Sequence, residues 1–164
     1  MTKEQYIKIT SPLRENPERA KQIKALNHIL TGFVFIIYPF YLLMLLLERN
    51  VWLARAIIVP MDSFIIVSFI RYLINAPRPY EKFEIPPVLP KDTIGKSFPS
   101  RHVFSVFIIA MTVFYEHPGA GILLAIIGLL LGVIRVLVGV HEPKDILAGA
   151  LTGIACGIIG YYIL

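Results

Sequence analysis

The sequence is poor in the two things that soluble and secreted domains depend on. It has one cysteine, Cys156, so no disulfide can close within the chain and no multi-cysteine metal site can form. Only 16% of its 164 residues are charged, against about a quarter in a soluble domain. Charge is absent altogether from residues 28–47, 117–134 and 146–164. A bilayer core about 30 Å thick needs about 20 helical residues to cross. These absences exclude a soluble enzyme, a disordered chain and a disulfide scaffold, and they leave a small integral membrane protein. No secretory leader is expected: the first apolar run starts near residue 28, is too long for one and ends in Glu48-Arg49 without a small-residue cleavage site.

Acidic residues are also scarce, 11 against 16 Lys and Arg, for a net charge of +5. That balance suits anionic head groups or phosphate-bearing substrates. A nucleic-acid partner is not expected, because most of the chain is apolar enough to lie in lipid.

What is present reads as an all-α, polytopic membrane bundle. Residues 1–27 form a polar, interfacial segment in which Asn16 and Pro17 mark a helix start, and residues 28–164 form the membrane-embedded domain. Five spans are expected near 28–47, 56–75, 100–115, 120–140 and 144–164. Residues 76–99 are the only long loop and carry six of the twelve prolines. Asp62 falls inside the second span and is expected to face a buried polar partner. Gly128 and Gly132, then Gly149, Gly153 and Gly157, recur at four-residue spacing, the usual device for close helix approach in membranes. The run from Lys91 through Asp92 to Lys96 has a phosphate-loop look but lacks the full glycine-rich pattern.

Polar chemistry gathers at span ends. Arg71 and Arg78-Pro79 close the second span, Pro99-Ser100-Arg101-His102 opens the third, and Arg135, His141 and Asp145 join the fourth to the fifth. Alternating spans bring all three clusters to one membrane face. Arginines grip phosphate bidentately, and the free N–H groups beginning at Ser100 offer an anion site. His102 and His141 supply an acid and a nucleophile, with Asp145 four residues after His141 to orient the imidazole.

The clusters resemble the three-part signature of the type 2 phosphatidic acid phosphatase family, which includes glucose-6-phosphatase and the vanadium haloperoxidases. That signature is Lys-x6-Arg-Pro, Pro-Ser-Gly-His and Ser-Arg-x5-His-x3-Asp. This chain has Arg71-x6-Arg78-Pro79, Pro99-Ser100-Arg101-His102 and Ile134-Arg135-x5-His141-x3-Asp145, in the same order and spacing over about residues 67–148. It departs at Arg71 for lysine, Arg101 for glycine and Ile134 for serine, and it has five spans where the family core usually has six. The resemblance implies a phosphatase acting on a lipid phosphate or diphosphate. His141 would form a phosphohistidine steadied by Asp145, and His102 would protonate the leaving oxygen and then activate water. Arg71, Arg78, Arg135 and Ser100 would hold the phosphoryl oxygens, with Arg101 an added cation beside them. It also implies that no metal or other cofactor is used.

A polyprenyl diphosphate such as undecaprenyl diphosphate is the first expectation for the substrate, with phosphatidic acid or phosphatidylglycerol phosphate next. Phosphoryl transfer to a second acceptor and a silent membrane scaffold or transporter are the alternatives. The protein is expected in a bacterial-type cytoplasmic membrane. On sidedness the expectations diverge: family habit puts such sites on the outer face. The positive-inside rule favours the cytoplasm, since the N-terminal segment and site-side loops carry eleven Lys and Arg besides Arg71, Arg78 and Arg135, and the opposite side carries two, Arg49 and Arg55. The sequence does not speak to oligomeric state.

Overall fold

A computed structural model describes residues 1–91 and 93–164; Asp92 lies outside the described residues. The chain forms helices α1 (Lys3–Arg14), α2 (Pro17–Leu47), α3 (Leu53–Ile74), α4 (Pro79–Phe83), α5 (Arg101–Glu116), α6 (Pro118–Leu137) and α7 (Pro143–Ile158), α7 ending in a π-helical turn, Ile159–Ile163. Strands are absent among the described residues. Residues Pro17–Leu47, Leu53–Phe83, Pro118–Leu137 and Pro143–Ile163 are each long and apolar enough to cross a membrane. The remaining expected span is α5, whose 16 residues extend only about 24 Å. It is the bundle's axis: Val103, Phe104, Val106 to Ala110, Thr112 and Val113 are all buried, as befits a helix that is apolar around its circumference.

Asn16 does cap a helix, accepting from the Arg19 N–H at 3.0 Å with Pro17 at the first position. That helix runs unbroken into the first span for 31 residues, so the interfacial segment and the span are one element. The sequence reading contains no counterpart of α1. Its Tyr6 is fully buried, and the hydroxyl reaches the Gly139 carbonyl at 3.2 Å and the Ile85 carbonyl at 3.3 Å.

Asp62 departs from expectation. The inward stripe of α3 is Ala56, Pro60, Ser63, Val67 and Arg71, so Asp62 falls on the outer face, exposed, with no partner among the described residues. Pro60, on the inward stripe, has no N–H for the Ala56 carbonyl one turn earlier. The Tyr38 hydroxyl of α2 donates to that carbonyl at 2.7 Å, supplying the bond the proline removes.

The glycines pack as their spacing suggests. A Cβ on Gly149 would stand 2.6 Å from the Ser100 carbonyl oxygen, and one on Gly153 would stand 2.7 Å from the Phe107 Cβ and 2.9 Å from the Phe104 carbonyl oxygen. Helix α7 therefore lies directly against α5. Across the seam the Ser100 N–H donates to the Asp145 carbonyl at 2.8 Å, tying the starts of the two helices together.

This contact can be probed by adding one methyl group. Alanine gains about 1 kcal/mol over glycine in a helix, whereas overpacking a tight contact costs about 1–3 kcal/mol. At Gly149 the obstacle is main chain held by its own bond, so Gly149→Ala lowers the unfolding temperature in detergent. Gly119→Ala, where a Cβ meets nothing within 4 Å, leaves it unchanged or raises it.

Candidate active site

The loop ends between helices converge on one polar cavity of about 260 Å³, walled by Ser68, Arg71, Tyr72, Arg78, Lys91, Thr93, Lys96, Arg101, His102 and His141. Among the described residues that wall it, five are Lys or Arg and none is acidic. A concave site with that lining is built for an anion.

His141 ends the loop between α6 and α7 and is 2% exposed. Its Nδ1 lies 3.4 Å from Asp145 Oδ2. The same carboxylate oxygen accepts from the Ser97 hydroxyl at 2.6 Å and from the Glu142 N–H at 3.0 Å, while Ser97 Oγ stands 3.3 Å from His141 Nδ1. An imidazole whose Nδ1 faces a carboxylate keeps its proton there, leaving the Nε2 lone pair free. Burial drives the His141 pKa down to about 4, against the opposing pull of Asp145, so the ring is neutral at neutral pH. Next door, burial would raise the Glu142 carboxyl. Lys82 at 3.3 Å and Lys144 at 3.4 Å instead hold it below the usual carboxylate range.

The arginines do more than line the cavity. Arg71 Nη1 donates to the Ser97 carbonyl at 3.3 Å and to the Pro99 carbonyl, and its Nη2 donates to the Lys96 carbonyl. Arg78 donates from Nε to the Gly95 carbonyl at 3.1 Å and from Nη1 to the Val140 carbonyl at 3.3 Å. These two side chains thus pin the 95–99 segment and the 140 loop into one wall while presenting their charge to the cavity. A lysine at 71 has a point charge and no planar fork with which to hold that set of carbonyls.

Of the eight residues expected at the site, Arg71, Arg78, Arg101, His102 and His141 line the cavity and Asp145 backs His141. Ser100 and Arg135 differ from expectation in standing behind the wall. Ser100 is fully buried in the α5–α7 seam, its N–H taken by Asp145, so it offers no free main-chain donor. Arg135 is 3% exposed on the inner side of α6. The Ser100 hydroxyl and the Arg135 Nε are nevertheless buried without a partner in the structure. Arg101 adopts helical backbone at the first position of α5 and is not among the positive-φ residues, so no glycine is required there.

The sequence reading missed two residues. Ser97 sits three positions before Ser100 with no spacing signal of its own, and only the fold brings it to Asp145. Lys91 lies in the proline-rich loop, in the stretch discounted for lacking a phosphate-loop pattern. Burial, then the charges of Arg78 and Arg135, push its pKa down to about 8.

An apolar groove of about 520 Å³ adjoins this cavity between α2, α3 and α5, walled by side chains including Phe35, Leu42, Ile57, Phe64 and Ile109. Arg101 and His102 line both spaces.

A family model described as the PAP2 superfamily matches residues 50–164, which include all three polar clusters. The chain belongs to the PAP2 superfamily. Its relatives include undecaprenyl-diphosphatase BcrC of Bacillus subtilis (strain 168), 27% identical over 158 residues that cover 88% of this chain and 81% of that protein. A bacitracin transport permease protein BcrC of Bacillus licheniformis is 35% identical over 69 residues, 42% of this chain and about a third (34%) of its relative. Among solved structures, LpxE from Aquifex aeolicus matches with a TM-score of 0.73 and 27% identity, over 96% of this chain and 92% of that one. A transmembrane PAP2 type phosphatidylglycerolphosphate phosphatase from Bacillus subtilis shares the fold, with a TM-score of 0.72 at 20% identity, over 96% of this chain and 83% of that one. Helices α1 and α2 precede the part matched by the PAP2 model.

Lys91 gives the cavity a pH dependence. It is charged below about pH 8 and neutral above it. Affinity for sulfate, an anion that does not itself titrate in this range, falls several-fold between pH 7 and 9 by calorimetry in the wild type. In Lys91→Arg it stays level.

Proposed function

We propose that this PAP2-type membrane lipid phosphatase removes the terminal phosphate of a polyprenyl diphosphate through a phosphohistidine on His141. The observation that carries the reading is the pairing of a small cavity, whose charged lining among the described residues is all Lys and Arg, with an apolar groove that opens beside it at His102. A phosphate group fits the first and a long hydrocarbon chain fits the second. The cavity, at about 260 Å³, leaves little room for an elaborate head group beside the phosphate, which favours a prenyl diphosphate over phosphatidylglycerol phosphate. The Bacillus subtilis relative bears the name of an undecaprenyl-diphosphatase, in keeping with this choice.

In the reaction, Nε2 of His141 attacks the terminal phosphorus while Asp145 holds the Nδ1 proton and Ser97 steadies the carboxylate. Arg71 and Arg78 offset the charge on the phosphoryl oxygens. The unpartnered donors of Arg135 and Ser100 lie behind them, to be taken up as the site tightens on substrate. His102 attends the leaving oxygen and then deprotonates the water that splits the N–P bond, releasing phosphate and regenerating neutral His141. General acid–base assistance of this kind is worth roughly 10²–10⁴-fold, and fixed guanidinium charges supply the electrostatic stabilisation that a metal ion supplies elsewhere.

The test is phosphate release from polyprenyl diphosphate, phosphatidic acid and phosphatidylglycerol phosphate by detergent-purified protein in the presence of EDTA. Release is fastest from the diphosphate, persists with EDTA and drops below about one part in a thousand in His141→Asn. Undiminished release by that variant, or loss in EDTA, would remove His141 or metal independence from the mechanism.

We further propose that the site opens to the cytoplasm. The six basic residues of the N-terminal segment support this, because they do not belong to the phosphate site and so count fully toward the positive-inside balance. In this arrangement α1 and the first turns of α2 stand on the cytoplasmic side, and α2 carries the chain into the membrane-embedded catalytic domain. A Lys3→Cys variant in a Cys156→Ala background stays unlabelled by impermeant maleimide in intact cells and becomes labelled on lysis. Labelling of intact cells would turn the protein over.

A further inference from the structure

The cavity and the groove meet at two residues. His102 has a place in the mechanism; Arg101 has none yet. Arg101 is exposed, makes no hydrogen bond or ion pair among the described residues, and has its guanidinium carbon 5.5 Å from the centre of the Phe64 ring in the groove wall. Stacking on an aromatic face positions the fork while leaving its N–H groups free. The terminal phosphoryl group already has Arg71 and Arg78. A further cation at the doorway, between the phosphate cavity and the chain groove, addresses whatever links the two.

We propose that Arg101 binds the proximal phosphate of a lipid diphosphate and so selects diphosphate over monophosphate substrates. The proposal rests on the phosphatase reading above and adds a basis for its specificity. With the distal phosphoryl group at His141 and the hydrocarbon beyond His102, the proximal phosphate of a diphosphate lies at the doorway. In a monophosphate that position holds only the ester oxygen and the first methylene groups, which give a guanidinium little to bind.

The chemistry follows from that difference. Nε2 of His141 forms the N–P bond as the bond from the distal phosphorus to the bridging oxygen breaks. The electron pair stays on the bridging oxygen, which becomes a terminal oxygen of the departing lipid monophosphate. Negative charge therefore grows on the proximal phosphate during the step, and Arg101 is the cation placed to meet it. Water then attacks the phosphohistidine and releases inorganic phosphate. From a monophosphate the leaving group is an alkoxide, a single oxygen that requires a proton more than a fork of donors.

The experiment measures kcat/KM for a polyprenyl diphosphate and for the monophosphate of the same chain, in wild type, Arg101→Gly, Arg101→Lys and Arg78→Lys. The quantity that decides is the diphosphate-to-monophosphate ratio. Loss of a charge-assisted contact to the proximal phosphate lowers this ratio roughly ten- to a hundredfold in Arg101→Gly. Arg101→Lys, which keeps charge without the fork, falls between. Arg78→Lys, acting on the phosphoryl group common to both substrates, holds the ratio within about twofold. A ratio unchanged in Arg101→Gly overturns the proposal, as does an equal fall in both substrates. If Arg101→Gly does not fold, by loss of its thermal transition in detergent, the ratio in Arg101→Lys decides on the same terms. Failure of the parent reading looks different: wild type then releases phosphate from neither lipid, and the assignment of Arg101 falls with it.

Discussion

The contact between α5 and α7 is the constraint on which the rest of the site depends. Glycines at 149, 153 and 157 remove the side chains that would hold the two helices apart, and α7 comes down onto the main chain of α5. That approach brings His102, at the second position of α5, to the cavity that His141 also walls, with Asp145 in the first turn of α7. The bond from the Ser100 N–H to the Asp145 carbonyl fixes the two starts in register. In lipid, where apolar surface alone gives helices no reason to prefer one another, close backbone packing is the force available. Here the packing of the bundle and the convergence of His102, His141 and Asp145 are one arrangement.

Around this axis the protein solves a charge problem. Arg71, Arg78 and Arg135 are buried, at 6%, 4% and 3% exposure, and buried charge is costly unless it is paired or hydrogen-bonded. Arg71 and Arg78 meet that cost with main-chain carbonyls instead of carboxylates. Carbonyl dipoles satisfy the N–H groups without cancelling the positive charge, so the cavity stays cationic and receptive to an anion. A carboxylate in the same role would have stabilised the arginines at the expense of binding. The carboxylate at the centre among the described residues, Asp145, is turned toward His141, Ser97 and the Glu142 N–H.

How much of this is legible in the sequence follows from the kind of signal each feature leaves. The three clusters are legible because their chemistry is local: Arg78-Pro79, Ser100 to His102 and His141 to Asp145 are fixed by spacing within single helix ends. The spans and the glycine seam are legible for the same reason, through hydropathy and four-residue repetition. Features that depend on which way a helix is turned are not. Asp62 lies outside because the inward stripe of α3 is set by Pro60, Ser63 and Val67, which only packing reveals. The same limit applies to where Ser100, Arg135 and Lys91 stand relative to the cavity, which only the assembled walls and loops decide. Helix α1 escapes notice because its polar sequence gives no sign that Tyr6 is its anchor.

That anchor carries a consequence for biogenesis. The Tyr6 hydroxyl cannot make its bond to the Gly139 carbonyl until Gly139 has been synthesised, 133 residues later. At 5–20 residues per second, a ribosome needs on the order of ten seconds to close that gap. Throughout that interval α1 lacks the Gly139 contact against which Tyr6 is buried in the finished fold. The loop that carries Gly139 and His141 is therefore closed by a residue made 133 positions before the carbonyl it binds.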